Sequence, residues 1–410
     1  MNIRQKTLAA LLVLGIGMSG CNTNDNNLPS QIVNKNTDEN KTEGNRTVPT
    51  SPGENNESNV TDPNPPDEVI IPVPPKQNLE ALGLNALLEK IGNEHNNGES
   101  NIAIADLEIL KSAGIVNINY NYVNIYRSYI ESNDTTFSSP ATVAQVQSMI
   151  DEVNALNLPE HPILDRSFFK KTNGVFEHRF VYLPIESNTT GRTWLNNNLG
   201  AEYANVDSSA YNPSQQATAS NDHLAYGSLF QWGRKADGHE LMDWTGATTG
   251  TGRYGTTTTK ADNPSDSLFI IMITYEVEWR VNKDDTLWAS ESSANNVCPA
   301  GYRLPLNPNE ADDGEHELAV EVHSWDLENA DGAMSSDLKM PLASGGISGI
   351  GGDLDKPGTL GSYWGGSVML YQTSDGIDSY PHYIYFHKDR MDLSTVGRKS
   401  DGMSVRCIKD

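Results

Sequence analysis

The stretch Cys298–Pro305, which reads Cys-Pro-Ala-Gly-Tyr-Arg-Leu-Pro, carries the strongest signal about the fold of this chain. The chain has only three cysteines, and a second one, Cys407, lies three residues from its end. The third, Cys21, has a separate role that is argued below. Cys298 and Cys407 are therefore each other's only intrachain partner. They form either one disulfide or two free thiols, and an exported protein permits the disulfide.

The composition limits the classes of function. The 410 residues suffice for two domains with their own cores, and the formal net charge is -25. Such a charge argues against nucleic-acid binding, because phosphate recognition needs clustered lysine and arginine. The apolar content is 37%, with 34 glycines and 21 prolines, which is typical of a loop-rich fold preceded by a disordered segment.

The first residues resemble a bacterial lipoprotein signal. A short basic segment precedes the apolar run Leu8–Ile16, which is too short to span a bilayer, and Met18–Cys21 follows. This resembles the lipobox, which implies a signal peptide over 1–20 and acylation of Cys21, with palmitate among the chains. Asn22 is not an inner-membrane retention signal, so we expect an outer-membrane or cell-surface lipoprotein held by its lipid anchor. The alternative is an ordinary secretory signal.

Two segments separate this signal from the C-terminal half. Residues 21–77 are rich in Asn, Pro and acidic residues, which predicts a disordered tether. Residues 78–157 show helical periodicity and predict a small all-α module, in which Pro140 stands near the first position of the last helix. This module resembles helical spacers of bacterial surface proteins. The second predicted helix spans Ile104–Ala113 and ends at Gly114. The apolar stripes predicted for the other three helices are Leu84/Leu87/Leu88/Ile91, Tyr122/Ile125/Tyr126/Tyr129 and Val143/Val146/Ile150/Val153.

The region 165–410 changes to short strands, beginning with one predicted over Phe176–Ile185, and to dense turns. It contains five blocks in a characteristic order: Gly191–Ala201, Tyr226–Arg234, Cys298–Pro305, Tyr363–Ser367 and Gly402–Ile408. This set resembles the Fibrobacter succinogenes major paralogous domain, which is related to C-type-lectin-like domains and to formylglycine-generating enzymes. The resemblance implies an α+β fold, loop-rich, with a small twisted antiparallel sheet. Five tryptophans spread through the region are its predicted core: Trp194, Trp232, Trp279, Trp288 and Trp364.

The motifs of this region do not favour catalysis, and we predict no catalytic residue. Formylglycine-generating enzymes need a pair of thiols that hold copper, whereas the two cysteines here are expected to be structural. The sequence His239-Glu240 lacks the second histidine of a zinc-protease motif. The oxygens of Asp237, Glu240 and Asp243 are candidate calcium ligands, and the alternative is a solvated acidic loop. No other cofactor is expected.

These observations together predict a surface-anchored binding or adhesion protein. Its ligand would be a glycan or another protein, contacted through the loops between Ala236 and Leu287, where aromatic and acidic residues mix. Two alternatives remain open: a structural cell-envelope protein without a discrete ligand site, and an enzyme of the formylglycine-generating type.

Overall fold

The computed structural model describes residues 76–307, 316–323, 325–373 and 376–410. All of them belong to one compact unit that spans residues 71–410. The predicted signal peptide, Cys21 and nearly all of the predicted tether lie outside the described residues. The exceptions are Lys76 and Gln77, which are the first two residues of a helix. None of the described helices is long and apolar enough to cross a membrane.

The described residues contain six α-helices, four of which lie in the predicted helical module. They are α1 (Lys76–Asn97), α2 (Ile104–Ser112), α3 (Val123–Glu131), α4 (Val143–Ala155), α5 (Glu317–His323) and α6 (Ala330–Ser335). The tyrosine stripe of α3 is buried as predicted, because Tyr126 is fully covered and Tyr129 is 9% exposed. Short 3-10 turns occur at Tyr120–Tyr122, Glu202–Ala204 and His223–Ala225.

Helix α4 begins later than the sequence predicted. Its N-cap is Thr142, whose hydroxyl accepts from the backbone N–H of Gln145 at 3.2 Å, while the Gln145 side chain accepts from the Thr142 N–H at 2.9 Å. Such a reciprocal capping pair fixes the start of a helix, so Pro140 stays outside it and the prediction for Pro140 is wrong. The stripe also differs, since Val143 is exposed and Met149 is buried.

The strands before the disulfide are short. They are β1 (Ile163–Leu164), β2 (Lys171–Thr172), β3 (Val175–Phe176), β4 (Val181–Tyr182), β5 (Pro184–Glu186), β6 (Thr193–Leu195), β7 (Phe230–Gln231), β8 (Met242–Gly246), β9 (Thr249–Gly252), β10 (Thr256–Thr257) and β11 (Phe269–Ile270). The single strand predicted over Phe176–Ile185 is therefore wrong, because this stretch contributes to three strands that pair with different partners.

The later strands include one long hairpin. They are β12 (Tyr302–Arg303), β13 (Gly346–Ile347), β14 (Leu354–Asp355), β15 (Leu360–Thr373), β16 (Gly376–His387), β17 (Arg390–Val396), β18 (Gly402–Met403) and β19 (Ile408–Lys409). Strands β15, β16 and β17 form a three-stranded antiparallel sheet. Two four-stranded sheets have the orders β12-β19-β6-β5 and β14-β13-β18-β7, and the remaining sheets have two strands. The mixed α+β class is confirmed, with several small sheets.

The five tryptophans predicted as the core of the C-terminal region are fully buried. Each indole N–H donates a hydrogen bond inside the protein, for example from Trp364 to the carbonyl of Phe230 at 2.8 Å and from Trp194 to Glu321 at 3.0 Å. Burial of an indole is favourable only when its N–H keeps a partner, so these bonds fix the rings in place.

The helical module and the first strands share a hydrophobic core. Phe168 and Val181 are buried in the same cluster as Ile91, Tyr126 and Ile150 of the helices. The helices therefore pack directly on the start of the C-terminal region, and the boundary between 78–157 and 165–410 stays a prediction.

Candidate functional site

The disulfide lies at the centre of the C-terminal region. Cys298 and Cys407 are joined by an S–S bond of 2.06 Å, and both residues are fully buried. Cys407 directly precedes β19 and Cys298 lies four residues before β12, and these two strands are antiparallel neighbours. The bridge therefore fastens the last strand to the stretch that begins at Cys298. It leaves no free thiol among the described residues.

The two arginines next to the disulfide are structural. Arg303 donates to both carboxylate oxygens of Glu317, at 2.6 and 3.0 Å, and to Asp410 at 2.7 Å. Arg406 donates to the side-chain oxygen of Asn198 at 2.8 and 3.0 Å and to the carbonyl of Leu338 at 2.8 Å. Burial lowers the pKa of Arg406 to about 10. Both guanidinium groups are thus occupied by the protein itself.

A buried polar cluster gathers Asp237, His239 and Glu240, together with His178 from the strand region before β4. Within the described residues, the first three form the one group of carboxylates and histidines close enough together to hold a metal ion. The tight turn that presents them contains Gly238, whose φ of 101° disfavours any side chain there. The turn brings Glu240 against His178, 62 positions earlier in the chain, at 2.6 Å.

Hydrogen bonds already occupy the ligand atoms of this cluster. The backbone N–H of Gln231 donates to Nε2 of His239 at 3.1 Å, so the proton of the neutral ring must lie on Nδ1. Nδ1 faces Asp237 Oδ1 at 2.8 Å and Glu240 Oε2 at 3.1 Å. A cation could bind Nδ1 only by displacing this proton. It could not bind Nε2 instead, because the lone pair of Nε2 already accepts from Gln231. The arrangement is therefore better described as a hydrogen-bond network whose acceptors all have donors than as a metal site.

The charges of His178 and Glu240 balance each other. Burial alone would lower the pKa of His178, but its hydrogen bond to Glu240 and the Glu240 charge outweigh burial and raise the pKa to about 9. Burial raises the pKa of Glu240, and the hydrogen bonds from His178 and His239 overcome this and hold it well below its usual range. The pair is therefore an imidazolium and a carboxylate at neutral pH, both removed from water.

The third candidate calcium ligand lies elsewhere. Asp243 is in β8 and accepts two hydrogen bonds from Arg253, at 3.0 and 2.9 Å. The structure thus brings together Asp237 and Glu240 of the predicted set, together with His178 and His239, which the sequence did not select. Two of the three predicted calcium ligands therefore lie in one cluster, where other groups already occupy their oxygens, and the third lies apart from it.

Large apolar side chains are exposed on the loop before Leu287 and on the tip of the β15/β16 hairpin. We call this set the loop–hairpin surface: Ile273, Tyr275, Val281, Leu370, Tyr371 and Ile377. The exposed fraction reaches 90% for Tyr275 and 83% for Ile273. The loop half lies inside the predicted ligand face between Ala236 and Leu287, whereas the hairpin half was missed.

Polar contacts fasten the loop to the hairpin. Lys283 Nζ lies 2.5 Å from Asp378 Oδ1, and the Ser379 hydroxyl donates to Asp285 at 2.6 Å. The only signal in the sequence for the hairpin half was a pair of apolar runs around Gly376, and it does not reveal which loop the tip would meet. These contacts join the two segments that carry the exposed apolar side chains.

A cleft of about 660 Å³ lies between helices α3 and α4 and the segment 168–179. Its walls include the aromatic rings of Phe169 and Phe176 beside Glu152 and Arg179. Tyr129 closes one side and donates to Glu152 at 2.7 Å. The volume is in the range of small-ligand sites.

Comparison with protein-family models, with curated proteins and with solved structures gives no match for this chain.

Proposed function

We propose that this chain is a surface-anchored, non-catalytic binding protein that presents its C-terminal region to glycan or protein ligands. The observation that carries the proposal is the loop–hairpin surface, where tyrosines and aliphatic side chains are exposed on two segments that polar contacts join. Contiguous exposed apolar side chains on a soluble protein commonly mark an interaction site. Tyrosine suits such a site, because its ring offers an apolar face and its hydroxyl a polar group.

The anchoring part of the proposal rests on the sequence. The lipobox-like Met18–Cys21 would place the chain on the outer membrane or cell surface, and the tether over 21–77 would hold the binding region away from the lipid. The five ordered blocks, the buried tryptophans and the Cys298–Cys407 bridge support a C-type-lectin-like fold of the major paralogous type.

The same bridge argues against the formylglycine-generating alternative, because a disulfide leaves no thiol pair to hold copper. A structural envelope protein stays the second alternative. It predicts no saturable binding, whereas a binding protein gives a defined isotherm.

The test is binding by residues 71–410, which form one compact unit. The protein is applied to a broad glycan array and to immobilised matrix proteins. A variant with Ile273→Ser, Tyr275→Ser and Tyr371→Ser should lose binding, with an affinity at least about tenfold lower, because interface aromatic side chains commonly dominate affinity.

The matched control removes three exposed apolar side chains elsewhere: Leu82→Ser, Ile104→Ser and Val175→Ser. This control should bind like the wild type. Absence of saturable binding by the wild type across both panels would favour the structural envelope protein, and equal loss in both variants would refute the loop–hairpin surface.

A further inference from the structure

Lys399 is a buried lysine in the segment between β17 and β18. Its side chain is 1% exposed, and its Nζ lies 5.4 Å from the centroid of the Trp232 ring. An ammonium group is rarely buried to this extent unless it is paired, because removal from water is costly. Its surroundings therefore determine what this group does.

Three groups surround the Lys399 nitrogen. Asp285 Oδ1 lies at 2.5 Å, Glu278 Oε2 at 2.9 Å and Ser379 Oγ at 3.0 Å. Glu278 is 8% exposed and Asp285 is 37% exposed, so Asp285 lies on the solvent side of the cluster. The Ser379 hydroxyl donates to the same Asp285 oxygen at 2.6 Å. The cluster holds one amine, one carboxyl in contact with it, and a second carboxylate beside the amine.

We propose that Lys399 and Asp285 form an isopeptide bond, with Glu278 as the proton-transferring group. The three roles that amide formation requires are present within one contact shell. Lys399 is the nucleophile, the carboxyl carbon of Asp285 is the electrophile, and Glu278 lies within hydrogen-bond reach of the reacting nitrogen. Fixed neighbours of this kind replace a bimolecular encounter with an intramolecular one.

The reaction balances without any further reactant. The ammonium of Lys399 and the carboxylate of Asp285 together contain the atoms of one amide and one water. Glu278 accepts a proton from the ammonium, and the amine attacks the Asp285 carboxyl carbon. As the C–N bond forms, the attacking nitrogen gives up a second proton through Glu278. One C–O bond breaks, and the departing oxygen takes both protons and leaves as water. The Ser379 hydroxyl donates to the carboxyl oxygen that carries charge during the attack.

The product suits the burial of the site. The step converts two opposite charges into a neutral amide, whose N–H can donate to Glu278, and so removes the cost of a buried ammonium. The exposed side of Asp285 gives the released water a path to solvent. The bond would tie the loop that carries Tyr275 and Val281 to the segment before β18. The proposal does not depend on the loop–hairpin surface having a ligand.

Tryptic mapping of the full chain tests this directly. Trypsin cleaves after Lys283 and Arg303, and it does not cleave after an acylated lysine. The expected product is peptide 284–303 joined to peptide 399–406, lighter than their sum by one water. Reduction before digestion breaks the disulfide, which would otherwise join peptide 284–303 to the peptide that contains Cys407. Cys407 lies outside peptide 399–406, so the disulfide cannot account for the joined species. Separate peptides 284–303 and 400–406, with no joined species, would overturn the proposal and leave an ion pair.

Variants separate the three roles. Asp285→Asn should give a joined peptide of the same mass as the wild type, because the amide would leave as ammonia. Lys399→Arg keeps the positive charge and should give no joined peptide. Glu278→Gln keeps the size of the side chain and should lose the joined peptide as well. A joined peptide that persists in Lys399→Arg would contradict the assignment.

Discussion

The disulfide core and the loop–hairpin surface differ in what holds them. In the core, Cys298 and Cys407 are covalently joined and packed with Trp232, Trp288 and Trp364, all fully buried. On the surface, apolar side chains face water and are positioned by ion pairs such as Lys283 with Asp378. The core is therefore held by burial and a covalent bond, whereas the two segments of the surface are held by polar contacts that water reaches.

The largest effect that would sharpen this contrast is loss of the disulfide. Cys298→Ala combined with Cys407→Ala should lower the free energy of unfolding by about 4.7 kcal/mol, because a closed loop of about 100 residues restricts the unfolded chain by that amount. Guanidinium unfolding of residues 71–410 measures it. Reduction of the wild type should give the same loss, and it should not affect the double variant. An unchanged midpoint would show that packing alone holds the core.

The second effect concerns the buried His178–Glu240 pair. Glu240→Gln should destabilise the protein by about 3 kcal/mol at neutral pH, since it leaves a buried imidazolium without its carboxylate. Urea unfolding gives the value. A loss below about 0.5 kcal/mol, the range of ordinary surface substitutions, would mean that the pair contributes little.

The pH dependence of the same pair has a definite sign. The pKa of His178 is raised from 6.5 to about 9 in the folded protein, by Glu240 and also by the charges of Asp165 and Glu177. Its contribution is therefore fully present below pH 6.5 and is lost as the pH rises through about 9. The difference in stability between wild type and Glu240→Gln should shrink over this interval. A difference that stays constant would contradict the raised pKa.

The sequence predicted correctly those parts of the fold in which a residue type is stable in only one kind of environment. A tryptophan in a loop-rich domain needs burial and a partner for its N–H, and two cysteines without other partners pair with each other. The four helices of the module were predicted as well. The start of α4 was not, because the capping pair of Thr142 and Gln145 outweighs the position of Pro140.

The candidate site was less predictable because its contacts join distant positions. His178 lies 62 positions before Glu240, and Lys283 lies 95 positions before Asp378. Asp243 is near Glu240 in sequence, yet it lies at an exposed position of β8, which begins at Met242, and it pairs with Arg253. Local acidic density therefore predicted two of three positions and missed both histidines.

A smaller effect tests whether the side chains of the loop–hairpin surface contribute to the stability of the fold. The variant with Ile273→Ser, Tyr275→Ser and Tyr371→Ser should keep the free energy of unfolding within about 0.5 kcal/mol of the wild type, because exposed side chains contribute little to packing. Thermal melting of residues 71–410 measures this beside the binding assay. A large loss of stability would mean that the surface belongs to the core, and the contrast between the two regions would fail.

The smallest expected effect is that of calcium on the acidic loop. Because Nδ1 of His239 carries a proton between Asp237 and Glu240, and because Arg234 occupies the other Asp237 oxygen at 2.8 Å, the ligand atoms are already satisfied. Calcium binding only to the folded state would raise the melting temperature. We therefore expect the same melting temperature in excess calcium and after chelation. A shift with calcium that Asp237→Asn abolishes, and that Asp243→Asn leaves intact, would instead establish a metal site centred on Asp237.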